Sequence, residues 1–258
     1  MKIVVCVKYV PDTATKIKIA PDGKKADTAD AAFVVNPYDE FAVEEALQLK
    51  EKHGGEVIVI GAGNEKAVTG LRTCLAMGAD SAVFVKDDAL ENADSHVVGT
   101  VLARVCRDLK ADLILFGKHA IGSDNGQVPA IVAEILDLPQ VSAVLKLEIA
   151  GAGFRAEREI EGAREVMEGS LPAVVTAQKG LNTPRYASLK GIMAAKKKPV
   201  DIREPGSLGL TADELQPTLA VVEVAMPPSR PPGKILTGDP AQAVPELVRL
   251  LHEEAKII

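Results

Sequence analysis

Along the first half of the chain, short apolar runs alternate with longer stretches whose apolar residues recur every three to four positions. Residues 3–7 read IVVCV and stop at Lys8 and a proline turn. Residues 57–60 (VIVI) run into Gly61-Ala62-Gly63, residues 82–85 read AVFV, and residues 113–116 (LILF) end at Gly117. Runs that are apolar throughout mark strands buried on both faces, as parallel strands are. Between them, residues 37–52 carry Phe41, Val43, Ala46, Leu47 and Leu49 at helical spacing. Residues 64–77 carry Val68, Leu71, Leu75 and Met77, and residues 94–109 carry Val97, Val98, Val101, Leu102, Val105 and Leu109. Strands alternating with helices of this length predict an α/β fold, a doubly wound, mostly parallel sheet with right-handed crossovers.

The second half changes character. Residues 145–149, 154–159 and 165–168 are short and separated by Gly turns, which predicts antiparallel pieces. Residues 171–177 return to a buried strand. Residues 180–240 are rich in Pro, Gly and Lys, include Pro227-Pro228 and Pro231-Pro232, and predict an extended arm. A last amphipathic helix is expected from Ala241 to about Lys256.

Composition narrows the picture. Aromatic residues make up 3% of the 258 residues and Trp is absent, so the core is expected to be aliphatic. The net charge of −6 argues against nucleic acid as the main ligand. No apolar run approaches the ~18–20 residues of a membrane span, so an integral membrane protein is not expected. The opening MKIVVCVKYV lacks a small-residue cleavage site and meets Pro11-Asp12, so it reads as a strand and not as a signal peptide. Cys6, Cys74 and Cys106 are widely spaced. They fit neither a disulfide framework nor a zinc site, read as core residues, and suit a reducing, cytoplasmic setting.

In an open parallel sheet, ligands sit beyond the carboxyl ends of the strands. The strand ending at Gly117-Lys118-His119-Ala120 continues through Ile121-Gly122-Ser123-Asp124-Asn125-Gly126-Gln127 into a helix expected over residues 128–136. A flexible Gly, Ser and Asn loop before free helical N–H groups is a chemically sensible cradle for phosphate oxygens; an ordinary capped loop is the alternative. Neither a Walker loop nor a GxGxxG pattern is present, and spacing alone does not identify a nucleotide. Catalytic machinery is thin. His53, His96, His119 and His252 complete no metal-ligand pattern, no GxSxG elbow occurs, and Asp87-Asp88 and Glu44-Glu45 read as solvated faces. His119 alone lies at a strand end, either as a loop residue near a ligand or as a general base. Binding or electron transfer suits this set better than bond-making chemistry.

Five segments resemble the electron-transfer flavoprotein beta subunits: NPYDEFAVEEA at 36–46, AMGAD at 76–80, EREI at 157–160, LPAVVTA at 171–177 and LNTPRYASLKGIMAAKKK at 181–198. Their order and spacing cover most of the chain. The last is the most specific. The resemblance implies a fold of adenine-nucleotide-binding type, and an electron-carrier subunit, not an enzyme. It implies a heterodimer with an alpha subunit that holds most of a shared FAD. Electrons pass from flavin dehydrogenases, as in fatty acid oxidation, to a quinone reductase. It also implies a structural AMP in this subunit. Carried over, the AMP site takes Cys6, Asn36, Pro37, Tyr38, Asp39 and Ala62. From the cradle it takes Gly122, Ser123, Asp124, Asn125, Gly126, Gln127, Val128, Pro129, Ala130, Ile131, Val132 and Ala133. Bifurcating relatives hold a second FAD there, with a loop like DGDTAQVGP. The present GSDNGQVPA shares Asp124, Gln127 and Val128 with that form.

The resemblance also sets Tyr38 and Thr13 near the shared FAD. Thr13 stands where relatives often carry Tyr. Glu159 corresponds to a carboxylate that pairs with an arginine of the alpha subunit. Leu189 is the anchor of a recognition loop that docks into partner dehydrogenases, with Lys196, Lys197 and Lys198 supplying field when the partner is acidic. The domain plan is then 1–180 for the nucleotide-binding unit, 181–200 for the recognition loop and 201–258 for an arm and helix that pack on the alpha subunit. A stand-alone nucleotide-binding sensor is the competing class, and a hydrolase acting on an adenylate is weakened by the missing acid–base set. A sensor has no need of the recognition segment.

Overall fold

The computed structural model describes residues 1–230 and 232–258, except for the Asn92 side chain. Pro231, in the second proline pair, lies outside the described residues. The first five strands start the sheet and form short ribbons beside it: β1 (Lys2–Cys6), β2 (Tyr9–Pro11), β3 (Lys18–Ile19), β4 (Ala26–Asp27) and β5 (Phe33–Val35). Then come α1 (Pro37–His53), β6 (Glu56–Gly63), α2 (Ala67–Met77), β7 (Ser81–Lys86), α3 (Ser95–Leu109), β8 (Leu113–Gly117) and α4 (Val128–Leu136). The second half adds β9 (Gln140–Ala150), β10 (Gly153–Ile160), β11 (Ala163–Ser170), β12 (Ala173–Ala177), α5 (Leu189–Ala195), β13 (Val200–Arg203) and α6 (Pro240–Arg249).

Nine strands make one sheet in the order β11-β10-β9-β12-β8-β1-β6-β7-β13. Every pair from β9 to β13 across β12, β8, β1, β6 and β7 is parallel, and β9-β10-β11 is an antiparallel meander. The chain leaves β1 toward β6 and β7 and then crosses to β8 on its other side, so the order reverses at the β1–β8 boundary. The apolar runs explain why the strands bury both faces. Ile3, Val5, Val57, Val59, Leu113 and Leu115 point into one core with residues of α1 and α2. Val4, Ile58, Ile60, Ile114 and Phe116 point into the other with residues of α3 and α4. Gly99 lets α3 and α4 approach closely, since a Cβ there would lie 2.5 Å from Ile131 Cγ2. Asp94 caps α3 through the Val97 N–H at 3.0 Å.

The expected doubly wound α/β architecture is present. The arm is where expectation and structure part. Residues 200–203 are not extended arm but add a parallel edge strand beside β7. Pro205–Leu208 form a 3-10 turn that buries Leu208. Arg104 holds the strap that follows by donating to the carbonyls of Leu208 and Gly209. The chain separates into two compact units, residues 1–223 and 224–258, so 201–223 lie with the first. The final helix ends earlier than expected, at Arg249, followed by a π turn at Leu250–Glu254. None of its residues is buried. Among the described residues, no helix is long and apolar enough to cross a membrane.

Candidate functional site

The crevice at the β1–β8 reversal is built around two buried polar side chains, Asn36 and Asp39. Pro37 fixes the first turn of α1, which points Asp39 at the two strand ends. Asp39 Oδ2 accepts from the Lys8 N–H after β1 at 2.8 Å. Its Oδ1 accepts from the Gly117 N–H at the end of β8 at 3.0 Å and from Asn36 Nδ2 at 2.8 Å. Asn36 in turn donates to the His119 carbonyl at 2.9 Å and accepts from the Ile121 N–H at 3.1 Å. Gly117 is required by this closeness, because a Cβ there would lie 2.5 Å from Asp39 Oδ1. Burial pushes the Asp39 carboxyl up to about 7, against the downward pull of those hydrogen bonds.

The cradle loop continues from this clasp. Gly122 and Gly126 adopt φ of 92° and 59°, a region that glycine enters without strain. His119 meets Tyr38 edge to face at 4.6 Å, and Lys118 Nζ lies 4.9 Å from the centre of the same ring. His119 Nε2 stands 3.6 Å from Asp124 Oδ1, and Asn125 donates to Ser95 Oγ at 2.9 Å. No side chain caps α4, and Pro129 occupies its first turn. The start of α4 is thus left without a side-chain cap, and the dipole of a helix start favours an anion.

The expected nucleotide set divides. Gly122, Ser123, Asp124, Asn125, Gly126, Gln127 and Ala130 are exposed, with Val128 half-buried; Pro129, Val132 and Ala133 turn into the core, and Ile131 packs on Gly99. Cys6 is also a core residue, its thiol pushed up by burial first and then by Cys106. Ala62 is half-buried at the end of β6. Thr13 is exposed in the turn that Asp12 closes through the Ala14 N–H, and Glu159 is exposed on β10 opposite Arg164.

A second constellation lies at residues 181–198. Leu189 is 85% exposed, and it opens a helix where a loop was expected. Ser188 caps that helix through the Gly191 N–H. Tyr186, Ile192 and Met193 are exposed beside it. Beneath this apolar face the segment is fastened down. Arg185 donates to Glu44 at 2.8 and 3.1 Å and to Glu51 at 2.6 Å. Asn182 donates to the Phe41 carbonyl and to Glu45 Oε2. Arg72 of α2 donates to the carbonyls of Ala195 and Lys198. Gly191 lies so close to Ala76 that a Cβ would come within 2.3 Å of its carbonyl oxygen.

Two sequence expectations are corrected here. Glu44 and Glu45 are buried, not solvated, because Arg185 and Asn182 cover them. Burial raises the Glu44 carboxyl, but its bonds from Arg185 and Gln48 outweigh this and leave it below the ordinary value. Lys196 and Lys197 are exposed, whereas Lys198 is half-buried and turns back to donate to the Leu75 and Ala79 carbonyls at 3.0 and 2.5 Å. It caps the C-terminal end of α2 and does not add to the surface field. Sequence reasoning missed Arg185, Asn182 and Arg72. The available signal was two glutamates, Glu44 and Glu45, inside the apolar stripe of α1, which demand buried partners.

Residues 25–207 match a family model described as the electron transfer flavoprotein domain. The chain is 46% identical over 259 residues to the electron transfer flavoprotein subunit beta of Bacillus subtilis, covering all of both chains. It is 40% identical over 258 residues to the subunit of that name from Syntrophomonas wolfei, covering 100% of this chain and 98% of the other. It is also 40% identical over 260 residues to that of Homo sapiens, covering 100% and 99%.

Proposed function

The chain belongs to the electron transfer flavoprotein beta subunits, and from that premise we propose that it is the beta half of a heterodimer that carries electrons from flavin dehydrogenases to a quinone reductase. The observation that carries the docking role is the contrast within residues 181–198. An exposed leucine stands on a base held by Arg185, Asn182, Arg72 and Lys198. An apolar anchor on a pre-formed base binds without a large ordering cost, which suits brief, repeated encounters.

The proposed cofactors are an FAD shared with the alpha subunit and held mainly there, and a structural AMP in the crevice of this chain. The crevice fits an adenine nucleotide in its chemistry: an uncapped helix start, glycines at positive φ and a nearby lysine. The exposed loop residues from Gly122 to Val128 would hold its phosphate. Tyr38, with Thr13, would approach the flavin, which supplies the electron-accepting and electron-donating chemistry. Glu159 would pair with an arginine of the alpha subunit. The proposed setting is the bacterial cytoplasm, where the free, buried Cys6, Cys74 and Cys106 stay reduced.

Acid release of nucleotides from the purified complex tests this reading. FAD and AMP in near-equal amounts are expected. Two FAD and no AMP would instead make it a bifurcating-type subunit, a reading that Asp124, Gln127 and Val128 keep in play. AMP without flavin in a self-sufficient chain would point to a sensor.

A further inference from the structure

After β13 the chain turns back along α3, held at three points that it meets in reverse order. Arg203 pairs with Asp108, in the last turn of the helix, at 3.6 Å. Arg104, one turn earlier, donates to the Leu208 and Gly209 carbonyls. Asp94, the cap of α3, accepts from Thr218 and Leu219. The helix from Asp94 to Arg104 rises only about 15 Å. The strap from Leu208 to Thr218 would span about twice that if extended. The surplus is folded into a turn, where the Thr211 N–H and hydroxyl donate to Glu214 and the Glu214 N–H donates back to Thr211. Leu208 is buried, and Leu210 and Leu215 pack on the same core as α3. Leu219 follows at 70% exposed, with Val221 and Val222 exposed as well. The change from packed strap to exposed apolar stretch therefore falls at Asp94.

The two oxygens of Asp94 divide the work. Oδ1 accepts from the Val97 N–H at 3.0 Å and caps the helix. Oδ2 accepts from the Thr218 N–H, from the Thr218 hydroxyl at 2.7 Å and from the Leu219 N–H at 3.0 Å. Desolvation pulls this carboxyl up, but the bonds from Val97, Thr218 and Leu219 outweigh it and hold it at about 2. Oδ2 is therefore a charged acceptor at neutral pH, the stronger kind. We propose that Asp94 is a latch for subunit assembly, whose Oδ2 fixes the root of the exposed stretch at 219–222 so that the alpha subunit meets its apolar side chains already in place. This rests on the reading of the chain as a beta subunit that packs on an alpha subunit. The alpha subunit is the occupant because this stretch leads in sequence straight into residues 224–258, whose exposed Met226, Ile235 and Val244 call for the same cover. A stretch with a fixed root loses less freedom on binding than a loose one, so the latch raises affinity without touching the partner. Asp94 is a positioning residue, and its two oxygens make that role separable from the cap.

Asparagine caps a helix as well as aspartate does, but its second terminal atom is a donor. Asp94→Asn therefore keeps the Val97 bond and loses the acceptor for Thr218 and Leu219. Asp94→Ser also keeps a cap and has no second oxygen. Thr218→Val removes one of the three donors and leaves the cap alone. Each is made in the full chain and co-expressed with the alpha subunit. Sedimentation velocity over a dilution series reads dissociation of the heterodimer, and deuterium exchange reads the Val97, Thr218 and Leu219 amides. Asp94→Asn and Asp94→Ser should weaken assembly about three- to tenfold, and Thr218→Val by less. In the two Asp94 variants the Thr218 and Leu219 amides should exchange several-fold faster, while the Val97 amide exchanges as in the native complex. Thr218→Val added to Asp94→Asn should bring no further loss, because both remove the same bond. Variants that dissociate as the native heterodimer does would overturn the latch and leave the subunit reading standing. Weaker assembly with faster exchange at Val97 in both Asp94 variants would make Asp94 a cap alone and overturn it too. If neither Asp94 variant folds, Thr218→Val decides, and native-like dissociation there overturns the latch. A native chain that forms no heterodimer with the alpha subunit would overturn the subunit reading itself.

Discussion

Arg185 fastens the proposed docking segment to α1. Its guanidinium covers a buried carboxylate, Glu44, and reaches a second, Glu51. Arg185→Met should cost about 2–3 kcal/mol, less than the ~3–5 kcal/mol of a fully buried pair because the arginine is partly exposed. Glu44 titrates below its ordinary 4.5, so its contribution is present above that value and lost as pH falls through the folded one. Urea unfolding at pH 7 and at pH 3.5 should therefore show the gap between native and Arg185→Met proteins shrinking in acid; a constant gap would sink this assignment. The lysine run divides in the same way. Lys197→Gln should slow dehydrogenase association, with the effect fading as salt rises, and leave stability unchanged. Lys198→Gln should lower the melting temperature by a few degrees, since the Leu75 carbonyl in the last turn of α2 and the Ala79 carbonyl just after it lose their donor. Three adjacent lysines are indistinguishable as letters. Only the turn after α5, which folds the third back onto α2, separates a structural cap from a steering charge.

At the scale of elements, what the sequence made legible follows from burial. Strands β1, β6, β7 and β8 and helices α1 to α4 are read from apolar periodicity because each buries a face that the pattern must match. β13 and α5 escape that reading for physical reasons. β13 has four residues at a sheet edge, and α5 has seven with a glycine in its middle, too short to hold as an isolated helix. Tertiary contacts to α2 make α5, and Gly191 admits them. Gly191→Ala should push α5 away from the Ala76 carbonyl and weaken dehydrogenase docking, with flavin content intact. Leu189→Ala should act at the same step without moving α5, because the side chain it removes is exposed at the first helical position. Docking should weaken by roughly 1–3 kcal/mol, the value of a central apolar contact. Steady-state electron transfer against dehydrogenase concentration measures both, and circular dichroism with tryptic cleavage at Arg185 separates them. Native-like resistance is expected for Leu189→Ala and faster cleavage for Gly191→Ala. The candidate site was legible in the same degree. The crevice loop was found because glycines and a helix start announce it, while the inward roles of Asn36 and Asp39 appear only when β1 and β8 are brought side by side.

For the whole molecule, the decisive feature is how little residues 224–258 bury. Helix α6 carries Val244, Leu247 and Val248 on an exposed face, and Met226 and Ile235 are exposed before it. Just upstream, in the first unit, Leu219, Val221 and Val222 are exposed as well. Burying a side chain of that size is worth about 1.5–3 kcal/mol, so this much exposed apolar surface favours association over solvation. An amphipathic helix with no buried residue has no core to hold it, and a ten-residue helix in water is marginal. The alpha subunit is the proposed cover. Expressed alone, the chain should self-associate at micromolar concentration, and residues 224–258 should exchange amides rapidly while the β1, β6 and β8 amides stay protected. Co-expressed with an alpha subunit, it should run as a single heterodimer, turn yellow, and gain protection across α6. Sedimentation velocity and exchange on the two preparations make the comparison. A monodisperse monomer, already protected in α6 and unchanged by the alpha subunit, would mean that the exposed face needs no partner. The sensor reading would then account for this chain better than the carrier.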